Sequence, residues 1–353
     1  MTPIDIAFIS DDISSNSLGR VYCLWQLAEA AGLTSVVVGA KGDAIWGPLA
    51  TTPFAERVHS VGHSSAVDPW ARWTPRVIVC VKPLPSSGRL ATQWAERSSV
   101  PVILDIDDPD IEAGLSVDDK LKRLGKEILR PRASAHFRGM RKKAVELPTI
   151  VSNPELQSRY GGTLIPHVRA DRGVGSPQSL GPPAIAFVGT VRGHKGVGLL
   201  RGAVEALQDV GYRLSVTAEA PSDAKPWETW TGLTSFEEGM QLVSEADMVV
   251  IPSERTAFSQ GQLPAKLIDA MMFGRAIVVS DLPAQTWALG GCGRVFQPND
   301  QDSLVAQLRG LSGQSTRATL GKAARDRALK QFTVEANVGA FVDTYEDVMR
   351  SAT

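Results

Sequence analysis

Residues 245–282 read EADMVVIPSERTAFSQGQLPAKLIDAMMFGRAIVVSDL. The order is strand, loop, helix, turn, strand. Met248 to Ile251 is a short apolar run closed by Pro252, as expected of a strand buried on both faces of a parallel sheet. The polar loop 253–262 leads to Pro264, a residue suited to the first turn of a helix. From Ala265 to Phe273 the apolar residues recur at helical spacing, and Gly274 ends the run. Ala276 to Ser280 is the next strand. Ligands of open α/β sheets sit outside the carboxyl ends of the strands, so Ser253, Lys266 and Asp269 fall beside a crevice. Lys266 and Asp269 are three apart and share a helix face. A cation beside backbone N–H groups suits a phosphate, and a carboxylate one turn on suits a sugar diol. A solvated ion pair on a surface helix satisfies the same spacing.

A second stretch points the same way. Ala184 to Val188 reads as a strand, followed by Gly189-Thr-Val-Arg-Gly-His-Lys-Gly196 and a helix over 197–210. Glycines, Arg192 and Lys195 at a helix N-terminus make a diphosphate site, against the plainer reading of a βα turn. The G-x-x-x-x-G-K-[ST] order of a Walker loop is absent.

Together these motifs resemble the nucleotide-sugar half of GT-B glycosyltransferases, above all the retaining group called family 4. The matching residues are Lys195-Gly196, Pro252-Ser-Glu254, Pro264-x-Lys-Leu-x-Asp-Ala-Met-x-x-Gly274 and Val278-Val-Ser-Asp281. The resemblance implies that Gly189, Arg192, Lys195, Glu219, Ser253, Lys266, Leu267 and Asp269 bind the donor, with Asp269 on the ribose. Two departures stand out. The family's first glutamate, eight positions before Asp269, is Gly261, and its loop arginine falls on Thr190, two short of Arg192.

The N-terminal half opens as a second βα series. A strand over 4–10, a polar loop, Gly19 and a helix over 20–31 precede a strand over 35–39. No G-x-G-x-x-G follows, which counts against a dinucleotide. Gly19 where the loop enters the helix would let backbone N–H groups approach a ligand, or would simply make a tight turn. Strands are expected near 57–61, 77–81 and 101–106, with Lys82 at the end of the second. His59 and His63 flank Gly62, which argues against a helical metal pair. The tryptophans of this region suit an acceptor groove, but Trp70 and Trp73 are read as packing against the sheet edge.

Asp105-Ile-Asp107-Asp108-Pro109-Asp110 offers a metal-binding acidic cluster or one positioned carboxylate at a strand end. Two separate βα series argue against the first, and Asp108 is also placed to cap a following turn. In family 4 a histidine often stands at Asp107. The resemblance gives Gly19, Arg20, Lys82, Asp107 and Asp108 to the acceptor, and Asp107, Lys195 and Lys266 to catalysis. Cations take the role of a metal, so no metal or other cofactor is expected.

The tract 118–143 is strongly basic. It suits an anionic membrane surface, an acidic or phosphate-linked acceptor, or a solvated helix with snorkelling lysines.

The whole composition is ordinary for a globular chain, and the net charge of −1 leaves no general pull toward nucleic acid. The three cysteines, Cys23, Cys80 and Cys292, fit neither a disulfide framework nor metal spacing, so a reducing, cytoplasmic setting is expected. The start MTPIDIAFISDD has no secretory signal, and no apolar run is long enough to span a bilayer.

The expected architecture is therefore α/β of GT-B type: two Rossmann-like domains facing a central cleft. The acceptor domain covers 1–169, a Gly/Pro/Ser-rich linker 170–183 and the nucleotide-sugar domain 184–335. A last helix, 336–353, returns to the first domain. Short strands over 212–218 and 233–236 and helices over 237–245, 303–311 and 314–331 fill the second. The implied activity moves a sugar from a nucleoside diphosphate to a glycan, lipid-linked or small-molecule acceptor, with retention and without metal. A non-catalytic scaffold of the same shape and a nucleotide-sugar epimerase are the alternatives.

Overall fold

The structure is a computed structural model that describes residues 1–61, 68–115, 131–191 and 193–352. The chain divides into two compact units. Unit 1 holds Met1–Val168 and Asn337–Thr353, and unit 2 holds Arg169–Ala336.

Unit 1 is built on β1 (Thr2–Ser10), β2 (Ser35–Gly39), β3 (Val58–Ser60), β4 (Trp73–Val81), β5 (Val102–Ile106), β6 (Thr149–Val151) and β7 (Thr163–Leu164). Their order is β3-β2-β1-β4-β5-β6-β7, all parallel. Val, Ile and Leu fill the central strands because both faces are covered. Ile6 to Ile9 and Val77 to Val81 are all buried. Trp73 belongs to the core, and Trp70 meets Trp94 edge-on, as the packing reading expects.

Unit 2 repeats the plan with β8 (Ala184–Phe187), β9 (Arg213–Val216), β10 (Glu228–Trp230), β11 (Met248–Ile251), β12 (Ala276–Ser280) and β13 (Arg294–Phe296). The order is β10-β9-β8-β11-β12-β13, again parallel. Its two cores show the pleat directly. Met248, Val250, Ala276 and Val278 lie in one apolar cluster, and Val249, Ile251, Ile277 and Val279 in the other. Successive residues therefore feed opposite faces, the period of two that a doubly covered strand requires.

Helices begin where side-chain oxygens cap them. Asn153 accepts from Leu156 N, Asp300 accepts from Ser303 N, and Ser235 forms a capping box with Glu238. The edge strand expected over 233–236 differs from the one observed. Leu233 is 89% exposed in a turn, and the strand is Glu228–Trp230 instead. A helix at Pro283–Leu289 was also not expected, although Pro283 starts it and Gly290 in the left-handed region ends it.

Residues 170–183 are not a free connector. The Arg172 guanidinium donates to Glu237, and the Ser179 backbone N and hydroxyl both donate to Asp247, at 2.6 and 2.7 Å. Gln178 accepts from Arg317. The segment is bound along unit 2, to which its contacts assign it. The helix Val334–Ser351 starts in unit 2 and continues in unit 1. There the Thr344 hydroxyl donates to Thr163 Oγ1 at 2.9 Å. Among the described residues no helix is long and apolar enough to cross a membrane.

Candidate functional site

In each sheet the strand order reverses once, between β1 and β4 and between β8 and β11. The loops that leave those strands border the crevice where doubly wound sheets bind ligands.

In unit 2 these are the loops 188–196 and 252–264. They are tied together, since Glu254 N donates to the His194 carbonyl at 3.0 Å. Gly196 sits at φ +66°, directly before the helix Val197–Glu205, and a Cβ there would lie 1.8 Å from the Pro252 carbonyl oxygen. Only glycine permits that approach and that backbone angle. Gly189 is at φ +119° with its N donating to Thr217 Oγ1 at 2.8 Å, and a Cβ there would point at the Lys266 ammonium.

Two of the expected cations meet at this place. Lys195 Nζ donates to Gln262 Oε1 at 2.6 Å. Lys266 Nζ lies 3.5 Å from the centroid of the Phe187 ring and makes no ion pair among the described residues. Burial, then the charge of Lys195, push the Lys266 pKa well below the usual lysine range. A polyanion laid against both ammoniums would reverse that shift. Asp269, 6% exposed, accepts a hydrogen bond from Arg169 Nε. Ser253 is buried and its carbonyl accepts from the Ser280 hydroxyl at 2.7 Å, while Glu219 is exposed at the end of β9.

One expected donor contact is corrected. The Leu267 side chain is fully buried in the apolar core, and its N donates to the Pro264 carbonyl. Its side chain packs the helix against the core. Arg192 lies outside the described residues.

Unit 1 overturns more. Arg20, expected at the acceptor, is 1% exposed and consumed by structure. Its Nε and Nη2 donate to Asp105 at 3.0 and 2.6 Å, and Nη1 and Nη2 donate to the Pro166 and Ile165 carbonyls at 2.9 Å. Gly19 lies inside the helix Leu18–Ala30, which begins two residues earlier than expected. Its N donates to the Asn16 carbonyl and is not offered to a ligand.

Lys82 also turns away from the expected role. It takes φ +50°, and its ammonium lies 3.0, 2.5 and 3.4 Å from carboxylate oxygens of Asp107, Asp108 and Asp110. Burial opposes its charge, but the three carboxylates hold its pKa well above the usual range. Burial raises the Asp107 pKa, with Lys82 opposing and Asp108 adding. The three aspartates stand close enough to share one cation, and the lysine is that cation. Asp107 is 3% exposed, so it stands behind Asp108 and Asp110 rather than at the surface. Of the basic tract, residues 118–130 lie outside the described residues, and Pro131–Glu146 forms a helix. His63 also lies outside them; His59 packs on Trp73.

Four residues of unit 2 belong to this arrangement without having been singled out from sequence: Phe187, Thr217, Gln262 and Arg169. Gln262 had the best signal, since it directly follows Gly261, where the family's glutamate is missing.

Residues 182–314 match the family model described as Glycosyl transferases group 1. That span contains both loops, both lysines and Asp269. The whole chain superposes on solved glycosyltransferase structures. For sucrose-phosphate synthase from Thermosynechococcus elongatus the TM-score is 0.71 at 15% identity, covering 99% of this chain and 100% of that one. The chain has the GT-B fold. A second GT-B neighbour is Anabaena HepE in complex with UDP and glucose, with TM-score 0.70, 12% identity and 99% of each chain covered. A third is WaaG, a glycosyltransferase involved in lipopolysaccharide biosynthesis, with TM-score 0.59, 16% identity and 98% of each chain covered. No protein of curated function matches the sequence. Within this GT-B chain, unit 2 carries the group 1 match.

Proposed function

We propose that this chain is a glycosyltransferase that takes its sugar from a nucleoside diphosphate held by unit 2. The observation that carries the reading is the convergence of Lys195 and Lys266 at the reversal of the second sheet, against loops narrowed by Gly189 and Gly196. Two ammoniums there neutralise a diphosphate and stabilise the charge that develops as it leaves. They supply what a divalent cation supplies elsewhere, so the reaction is metal-independent. Asp269 takes the ribose, and Glu219 and Ser253 border the donor. A structural neighbour described with UDP-glucose supports the choice of donor class. Retention of the anomeric configuration follows from the resemblance to family 4.

Unit 1 takes the acceptor at the loop after β5. Asp108 and Asp110 face it, and Asp107 with Lys82 sets their charge and position. The acceptor is a glycan, a lipid-linked saccharide or a small molecule, and the basic helix Pro131–Glu146 suits an anionic one. The setting is cytoplasmic, with contact at the inner face of the membrane for a lipid-linked acceptor.

One observation favours a second reading. Gly261 puts no carboxylate where the family holds the donor sugar, which suits a scaffold that binds nucleotide without turnover. Nucleoside diphosphate release from a panel of UDP-, GDP-, ADP- and dTDP-sugars separates the two. The transferase reading expects release from one donor, unchanged by EDTA and at least about 100-fold slower in Lys195→Ala. Weak nucleotide binding with no release from any donor, with or without crude acceptor lipid and glycan, would leave the scaffold.

A further inference from the structure

Arg169 is the first residue of unit 2, and it is fixed at both ends. Its backbone N donates to the Phe332 carbonyl at 2.8 Å, and it forms a parallel bridge with Thr333. Thr333 in turn caps the last helix, its hydroxyl accepting from Ala336 N at 3.1 Å. The guanidinium then reaches across to Asp269 Oδ1 through Nε. Both side chains are largely buried, at 13% and 7% exposure. No sequence pattern joins them, since they lie 100 positions apart.

We propose that Arg169 is the positioning residue of the ribose subsite. It holds one oxygen of Asp269 and leaves the other directed at a hydroxyl of the ligand. The inference rests on the reading that unit 2 binds a nucleoside diphosphate.

The chemistry follows from the geometry of a short acid. An aspartate carboxylate is one methylene nearer its helix than a glutamate and has less freedom to find a diol unaided. A guanidinium anchored by its own main chain removes the remaining side-chain torsion and keeps the carboxylate in one orientation. The entropy of ordering that side chain is then met in the free protein, not when the ligand binds. A ribose hydroxyl donating to a carboxylate oriented in this way is a charge-assisted bond, so its loss is felt as selectivity.

The test compares each of UDP, GDP, ADP and CDP with its 2′,3′-dideoxy counterpart by titration calorimetry on the full chain. Wild type is expected to prefer the ribonucleotide by roughly 10-fold or more, the range of a hydrogen bond to a charged group. In Arg169→Met that preference falls to within about twofold, while part of the affinity carried by the diphosphate persists. Arg169→Lys, which keeps a cation on Asp269, recovers part of the preference. A purely structural role for Arg169 would weaken both nucleotides equally and leave their ratio unchanged. That result would overturn the inference even if nucleotide binding itself is real. Absence of any nucleoside diphosphate binding in wild type would instead remove the donor-site reading, and this inference with it. A melting profile of Arg169→Met guards against misfolding. If that variant unfolds, the ratio measured on Arg169→Lys decides: a ratio below wild type but above one supports the positioning role, and a ratio equal to wild type with both ligands weakened alike refutes it.

Discussion

Arg20→Met is expected to destabilise unit 1 by about 3–5 kcal/mol, the range found when one partner of a buried ion pair is removed. The guanidinium is 1% exposed and Asp105 is fully buried, so neither charge has water to fall back on. Removing Arg20 strands the Asp105 carboxylate and takes the donors from the Ile165 and Pro166 carbonyls. Urea unfolding should show the loss. The double variant Arg20→Met with Asp105→Leu should recover a large part of it, because a matched apolar pair leaves no unpaired charge. Nucleotide affinity of unit 2 should not change in the folded variant. Retained stability together with a lost acceptor response would restore Arg20 to the acceptor site.

Lys266→Met should cost about 100-fold in nucleoside diphosphate affinity, the loss of a charge-assisted phosphate contact in a partly buried place. A proton should move with the ligand. Burial and Lys195 hold the Lys266 pKa low in the free protein. A bound diphosphate stabilises the ammonium and raises that pKa again. The bound state therefore carries more protons than the free state at every pH between the depressed value and the restored one. Binding takes up protons in that window, and affinity falls as pH rises through it. Calorimetry in two buffers of different ionisation enthalpy should give uptake for wild type and a smaller value for Lys266→Met. Release of protons, or uptake equal in both, would place the linked group elsewhere.

The strands of both sheets were legible because their causes are local. Ser35–Gly39, Met248–Ile251 and Ala276–Ser280 occur at the expected positions, since runs of Val and Ile between turn residues have few alternatives. Edge elements were less legible. Glu228–Trp230 is a three-residue strand paired on one side only, and an apolar residue such as Leu233 nearby carries no information about which of them pairs.

Glycine-plus-cation spacing singled out Lys195 and Lys266, which the fold brings near each other, because loop and helix start are close in sequence to the groups they present. Arg20 and Lys82 were misassigned for one reason. Their partners lie 85 positions away at Asp105 and 26 away at Asp108, and sequence spacing cannot say whether a charge is spent inside the fold. The same distance hid Arg169. A lysine at a strand end reads as a ligand contact until the carboxylates of the next strand's loop close around it.

The most direct test is equilibrium titration of the full wild-type chain with UDP, GDP, ADP, CDP and dTDP, each in EDTA and in magnesium. The paired lysines predict saturable binding of a nucleoside diphosphate, selective for one base, equal with and without metal, and weakened in Lys195→Ala. Binding that appears only with magnesium would contradict a site in which lysines neutralise the diphosphate, and no binding of any nucleotide by folded protein would contradict the donor site altogether.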